Sequence, residues 1–261
     1  MFNYKGKVVA ITGASSGLGK QMAYGYAEQG ADLVLLARRV ERLEATAKDM
    51  EAKYGIKVLA VKCDVTDDAS IADAVKAVKD TFGHCEVLVN DAGGERGTGT
   101  PILDYKKEDW EYTLNLDLTS IFLVTKAFGN LMKDAMAAGK QKYGRIINIA
   151  SMYGLVGNTA IPTIAYHSTK GAVVNFTRGA AAELAKSGIT VNAICPGYFY
   201  TELTTDTLNT DYFQAFAKQT VPMQRYGAEG ELNSAAIFLG AEESSYVTGI
   251  AVAVDGGYTC I

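Results

Sequence analysis

The sequence predicts an α/β protein: a doubly wound parallel sheet of about seven strands with helices on both faces, in three layers. Three observations carry this. Short aliphatic runs alternate with longer amphipathic stretches along the whole length. The short runs are continuously apolar, as strands buried on both faces are. The first of them ends in a glycine-rich turn, Thr12 to Lys20, that opens a helical stretch. In order, KVVAIT (Lys7 to Thr12) reads as a strand and Leu18 to Gln29 as a helix; DLVLLA (Asp32 to Ala37) is followed by a helix over Val40 to Tyr54. KVLAVKCD (Lys57 to Asp64) precedes a helix over Ala69 to Phe82, and EVLVND (Glu86 to Asp91) precedes one over Lys107 to Ala137. GRIINIAS (Gly144 to Ser151) leads to Ala165 to Lys186, ITVNAICP (Ile189 to Pro196) to Glu229 to Leu239, and IAVAVDGG (Ile250 to Gly257) closes the pattern. Strict βα alternation implies right-handed crossovers. No repeat or linker interrupts it, so residues 1–261 are expected to form one domain.

Composition narrows the function. A formal net charge of −4 over 261 residues argues against a nucleic-acid or anionic-membrane partner and for a small molecule. Cys63, Cys85, Cys195 and Cys260 are scattered without a CxxC pair, and there are two histidines, so neither a disulfide framework nor a metal site is suggested. A reducing cytoplasm is the expected location. MFNYKGKVVAITG lacks a basic segment followed by an apolar one, and no apolar run reaches spanning length, so a soluble, unexported chain is expected.

In such a sheet, ligands bind beyond the carboxyl ends of the strands, at the first strand-to-helix turn. There the sequence reads TGASSGLGK, and Gly13, Ser15, Ser16, Gly17, Leu18 and Gly19 form a candidate pyrophosphate cradle. Glycines keep Cβ atoms away, and the helix N-terminus presents free N–H groups. The end of the second strand then selects the dinucleotide. A carboxylate there accepts from a ribose 2′-hydroxyl, whereas arginine accommodates a 2′-phosphate. Here Ala37 stands where the acid is expected and Arg38 and Arg39 follow, which points to NADP(H). The alternative is that both arginines only solvate the next helix, beside Glu41.

The stretch from Ser151 to Gly171, SMYGLVGNTAIPTIAYHSTKG, sets a hydroxyl, a phenol and an ammonium in order. On a helix, Tyr166 and Lys170 share one face, and Ser151 ends a strand at the same rim. Bringing a phenol from about 10 to near 7 requires about 4 kcal/mol of phenolate stabilisation. A nearby ammonium and a helix N-terminus can supply much of it. Tyr166 is then the expected acid or base for interconverting a ketone and an alcohol.

Taken together, TGASSGLG, NDAG, Ser151 with YHSTK, and PGYFYT resemble the short-chain dehydrogenase/reductase family over residues 5 to 259. The resemblance implies a Rossmann-like fold with Ser151, Tyr166 and Lys170 catalytic. It implies that Asp64, with Val65 next to it, lies beside the adenine. Asn90, Ala92 and Gly93 would line the cofactor; the Phe199 backbone and Thr201 would hold the carboxamide, and Lys170 the nicotinamide ribose. The C-terminal segment is similar to one used in tetramer assembly.

Three departures accompany the resemblance. The family's fourth catalytic residue, an asparagine, is matched by Asp117, and Asn115 lies two residues early on another helix face. Asp117 is expected to take the proton-relay role while raising the pKa of Lys170. NNAG reads NDAG, and Asp91 is assigned only a structural place at the strand end. Ser151 to Tyr166 spans about two residues more than usual, with Pro162 in the extra length. These departures resemble, more weakly, relatives acting on sugar acids and polyols such as gluconate 5-dehydrogenases and ketose reductases. Residues 202–222 are expected to form a mobile substrate lid, whose Tyr212, Phe213 and Phe216 suit either core or an apolar pocket for a steroid or acyl chain. The expectation is a carbonyl reductase or alcohol dehydrogenase, the alternative of another class being an idle NADP(H)-binding sensor.

Overall fold

The computed structural model describes residues 2–157, 161–202 and 204–261. Its strands are β1 (Val8–Thr12), β2 (Asp32–Ala37), β3 (Val58–Lys62), β4 (Val87–Asn90), β5 (Gly144–Ile149), β6 (Ile189–Pro196) and β7 (Ala251–Val254). They form one parallel sheet in the order β3-β2-β1-β4-β5-β6-β7. Strand order reverses between β1 and β4, where Val9 pairs with Val87 and Ile11 with Val89. A crevice opens beyond the carboxyl ends at such a reversal.

Helices α1 (Gly17–Glu28) and α2 (Val40–Tyr54) flank the first half of the sheet, and α3 (Asp68–Thr81), α4 (Lys107–Leu114), α5 (Ser120–Ala137) and α6 (Ile164–Leu184) follow. The chain continues through α7 (Thr205–Leu208), α8 (Asp211–Thr220) and α9 (Asn233–Gly240). The continuous apolar strands serve two cores. Val9, Ile11, Leu33 and Leu35 pack with Met22, Tyr26, Leu43 and Leu239 on one face. Val8, Ala10, Val34 and Leu36 pack with Ile71, Val78, Phe128 and Met132 on the other. One strand thus feeds both faces, which is why its sequence shows no polar alternation.

Beyond shifts of one or two residues at helix ends, two helices differ from expectation for identifiable reasons. The stretch 107–137 is helical throughout but contains one π turn, Asn115–Thr119, between α4 and α5. A wider turn rephases the helix faces on either side of it. Asp117 is fully buried while Asn115 is exposed. The last helix begins at Asn233 rather than Glu229, because Gly230 takes φ +82° and the Glu231 carboxylate caps the Ala228 N–H at 2.7 Å. Part of the extra length before Tyr166 (158–160) and residue 203 of the expected lid lie outside the described residues.

No helix among the described residues is long and apolar enough to cross a membrane, and no cluster of metal-ligating side chains occurs among them. Cys63, Cys85 and Cys195 are buried free thiols, and Cys260 is exposed.

Candidate active site

A cavity of about 540 Å³ lies at the strand-order reversal. One wall is the turn between β1 and α1, with Gly13, Ser15, Ser16, Gly17 and Leu18 facing the space. Gly13 needs to be glycine twice over: its φ is +73°, and a Cβ would stand 3.0 Å from the Ala92 nitrogen. Ser16 caps α1 with extended backbone and makes no side-chain capping bond, so the Gly17 and Leu18 N–H groups at the start of the helix are available to an anion. Gly19 does not face the cavity; a Cβ there would stand 2.6 Å from Asp91 Oδ2 and 3.0 Å from the Gly13 oxygen.

The far end of the cavity is lined by Arg38, Arg39, Asp64 and Val65. Both arginines are exposed, Ala37 beside them is uncharged, and neither is ion-paired with another described residue. The Asp64 carboxyl is held below its ordinary range, first by the Thr66 hydroxyl at 2.7 Å, then by the Thr66 N–H at 3.0 Å, with Arg38 adding to both. A glycine cradle at one end and two cations with no carboxylate at position 37 at the other fit an NADP(H) molecule.

Ala92, Gly93 and Thr201 line the same cavity; Asn90 and Phe199 do not. The Asn90 amide points into the sheet interior, donating to Asn148 Oδ1 at 2.9 Å and Thr125 Oγ1 at 3.2 Å, and so ties β4 to β5 and α5. The Phe199 ring borders a second cavity of about 350 Å³ with Met152, Tyr198, Val221, Tyr226 and Tyr258, while its carbonyl accepts from Thr204 Oγ1 at 2.7 Å. Phe213 and Phe216 stack edge-on against Tyr198, each at 6.2 Å, and Tyr212 is exposed.

Ser151, Tyr166 and Lys170 meet at the inner wall of the first cavity. Ser151 follows β5, and its Oγ accepts from the Tyr153 N–H at 3.1 Å, capping the tight turn Met152–Gly154. Tyr166 and Lys170 lie one turn apart near the start of α6, and the Lys170 ammonium stands 5.4 Å from the Tyr166 ring centroid. Lys170 Nζ donates to the Ile149 carbonyl at 3.1 Å and faces Asp117 Oδ2 at 3.5 Å. The other Asp117 oxygen accepts from the Gly94 N–H at 2.7 Å. Asp117 therefore sits behind the lysine, outside the cavity lining, with its side-chain carboxylate in the cluster.

The turn holding Ser151 presses so closely on α6 that a Cβ at Gly154 would stand 2.5 Å from the Lys170 carbonyl oxygen. Gly154→Ala is expected to cost about 1–3 kcal/mol through backbone displacement and to lower turnover as well as melting temperature. Activity and thermal unfolding measured on one preparation check it; an unchanged melting temperature would contradict this contact.

Electrostatics correct the expectation of a strongly acidified phenol. Burial, the largest influence, raises the Tyr166 pKa; Lys170 and the Ser151 hydroxyl pull it down, and Asp117 and Glu95 push it up, leaving it above its ordinary value. Burial disfavours the Lys170 ammonium, but Asp117, Tyr166 and Asp91 outweigh it and hold the pKa high. That upward direction is the one expected of Asp117.

Glu95 had no signal in the sequence, because it lies in an irregular loop without motif spacing. Its carboxyl is raised by burial, and its Oε2 accepts from Thr98 Oγ1 at 2.9 Å. His167 is likewise positioned, stacked on Tyr153 with centroids 4.7 Å apart and with Nδ1 held by Thr163 at 2.9 Å.

The family model described as enoyl-(acyl carrier protein) reductase matches residues 13–259. Gluconate 5-dehydrogenase from Gluconobacter oxydans is 35% identical over 259 residues, covering 99% of this chain and 97% of that protein. The 3-oxoacyl-[acyl-carrier-protein] reductase of Aquifex aeolicus is 33% identical, covering 97% of each. Among solved structures, a gluconate 5-dehydrogenase from Burkholderia cenocepacia in complex with NADP and tartrate superposes with a TM-score of 0.90 at 32% identity, covering 100% of this chain and 98% of that one. With the seven-stranded sheet and the site at its reversal, these similarities identify the chain: it belongs to the short-chain dehydrogenase/reductase family of oxidoreductases.

Proposed function

We propose that the protein is an NADP(H)-dependent reductase or dehydrogenase that interconverts a ketone and a secondary alcohol on a sugar acid, ketose or polyol. The observation that carries the reading is the convergence of Ser151, Tyr166 and Lys170 on the cavity that also holds the glycine turn and Arg38 and Arg39. When bound, NADP(H) supplies the hydride in one direction and takes it up in the other. The turn residues and the α1 N-terminus hold the pyrophosphate, and Arg38 and Arg39 hold the 2′-phosphate.

Tyr166 donates its phenolic proton to the carbonyl oxygen as that oxygen becomes a hydroxyl, and in the reverse direction the phenolate takes the proton back. Ser151 orients the carbonyl by hydrogen bonding. Lys170 stabilises the phenolate by charge, and Asp117 fixes the lysine from behind. The sugar-acid and polyol assignment is supported by the gluconate dehydrogenase relatives. A 3-oxoacyl or hydroxysteroid substrate is the second reading, favoured by the aromatic second cavity beside Met152 and by the 3-oxoacyl reductase relative. Residues 202–222 would act as the lid of one catalytic domain. Assembly as a homotetramer is checked by sedimentation.

Nicotinamide absorbance followed over 5-ketogluconate, fructose, other ketoses, 3-oxoacyl thioesters and keto-steroids tests the assignment. Turnover confined to the sugar class supports it, and turnover on thioesters alone moves it to the second reading. Retained NADPH binding with no turnover on any carbonyl points to a sensor.

Asp117→Asn should move the pH profile. Removing that carboxylate takes away one of the influences raising Tyr166 and Lys170. The basic limb of reduction, lost as the phenol ionises, should therefore appear at lower pH, and alcohol oxidation should gain activity at lower pH. Superimposable profiles would show that Asp117 does not tune the pair.

A further inference from the structure

We propose that Asp91 is a positioning residue whose proton governs how firmly the glycine-rich turn holds the dinucleotide. Protonated, its carboxyl supports the turn; ionised, it places a negative charge directly behind the seat of the phosphates. The inference rests on the NADP(H) reading above and goes beyond it, to a proton linkage in cofactor affinity.

The geometry is specific. Asp91 follows β4 and lines the first cavity. Its Oδ2 lies 3.1 Å from where a Cβ of Gly13 would stand and 2.6 Å from where one of Gly19 would, so the carboxyl fills the space beneath both glycines. The Gly19 N–H donates to it. Its own N–H and that of Ala92 both donate to Thr12 Oγ1 at 3.0 Å, which locks the strand end to the start of the turn. These two bonds hold the Asp91 backbone against the start of the turn, and from there its carboxyl reaches beneath the two glycines.

The groups facing it do not neutralise it. From α6 comes the Lys170 ammonium, which is already shared with Asp117 at 3.5 Å. From the turn and α1 comes the Gly19 amide, and its strand neighbour Asn90 is neutral and turned into the sheet. Burial, the dominant influence, raises the carboxyl to about 7 against both Lys170 and Gly19. Phosphates brought to the turn repel the carboxylate and raise its proton affinity, and by reciprocity the proton tightens phosphate binding. The sign follows: affinity for NADPH is high while Asp91 is protonated and falls as pH rises through its titration.

The test is the NADPH dissociation constant, measured by nicotinamide fluorescence from about pH 7 to 9, above the titration of the 2′-phosphate near pH 6. For the wild type it should weaken by up to about tenfold per pH unit, the limit for one linked proton. Asp91→Asn, which keeps size and hydrogen bonding but cannot ionise, should bind with a constant nearly independent of pH. Calorimetry in buffers of different ionisation enthalpy should show the wild type taking up a proton on binding NADPH near pH 8, and the variant taking up none. Equal pH slopes in the two proteins overturn the proposal. So does absence of proton uptake by the wild type, a result that needs no variant to fold. Wild type that binds no NADPH at any pH overturns the cofactor reading and this inference together, whereas pH-independent binding removes this inference alone.

Discussion

Tyr166→Phe is expected to lower kcat by about 10²–10⁴-fold, the usual loss on removing a general acid or base, while NADPH binds as tightly as before. The ring stays, and with it the contact to the Lys170 ammonium 5.4 Å from its centroid; only the hydroxyl leaves. Because burial and two carboxylates outweigh Lys170 and Ser151 at this phenol, the wild-type residue is protonated at neutral pH. Reduction should accordingly hold its rate through neutrality and decline only as the phenol ionises at alkaline pH. Oxidation, which needs the phenolate, should rise over the same range. Single-turnover kinetics with a reducible ketone, beside fluorescence titration of NADPH, separates the proton-transfer step from binding. Activity surviving in Tyr166→Phe would assign the proton to another group.

Replacing Arg38 and Arg39 together by alanine should weaken NADPH binding by about thirty- to a hundredfold, the scale of lost charge-assisted hydrogen bonds at a solvent-exposed site. NADH, which lacks the 2′-phosphate, should bind nearly as before. Both arginines line the cavity without ion-pair partners among the described residues, so their removal strands no buried charge. The comparison of the two cofactors in one variant is therefore a clean readout. Equal losses for NADPH and NADH would show that the arginines support the turn or helix α2 rather than a phosphate.

Much of this was legible in the sequence because it rests on local chemistry. A strand buried on both faces shows a mostly apolar run without polar alternation, and DLVLLA and ITVNAICP mark β2 and β6 to the residue. Gly13 was legible because only glycine tolerates its φ and the Ala92 backbone beside it. Asp117 was singled out by its alignment with a family asparagine, but the π turn that accompanies it has no residue signature. Such a turn arises from packing between helix and sheet, not from local preference. Asn90 was expected at the cofactor and instead links strands inside the sheet, because a strand-end side chain can face either layer and spacing does not say which. The direction of the Tyr166 shift was missed for a related reason. The sequence displayed the lysine, whereas burial and Glu95, some seventy residues upstream, became neighbours only through the fold.

The reversal of strand order between β1 and β4 divides the labour of the site between two lengths of the gene. Codons for the first ninety residues encode the glycine turn and the arginines that line the cavity; those beyond encode the hydroxyl, phenol and ammonium. Cofactor choice and substrate choice can consequently drift apart under selection, since a change at Arg38 leaves Ser151 and Tyr166 untouched. Asp91 stands on the seam, against the cradle of one half and beside the lysine of the other. Mutations there are inherited by both functions at once.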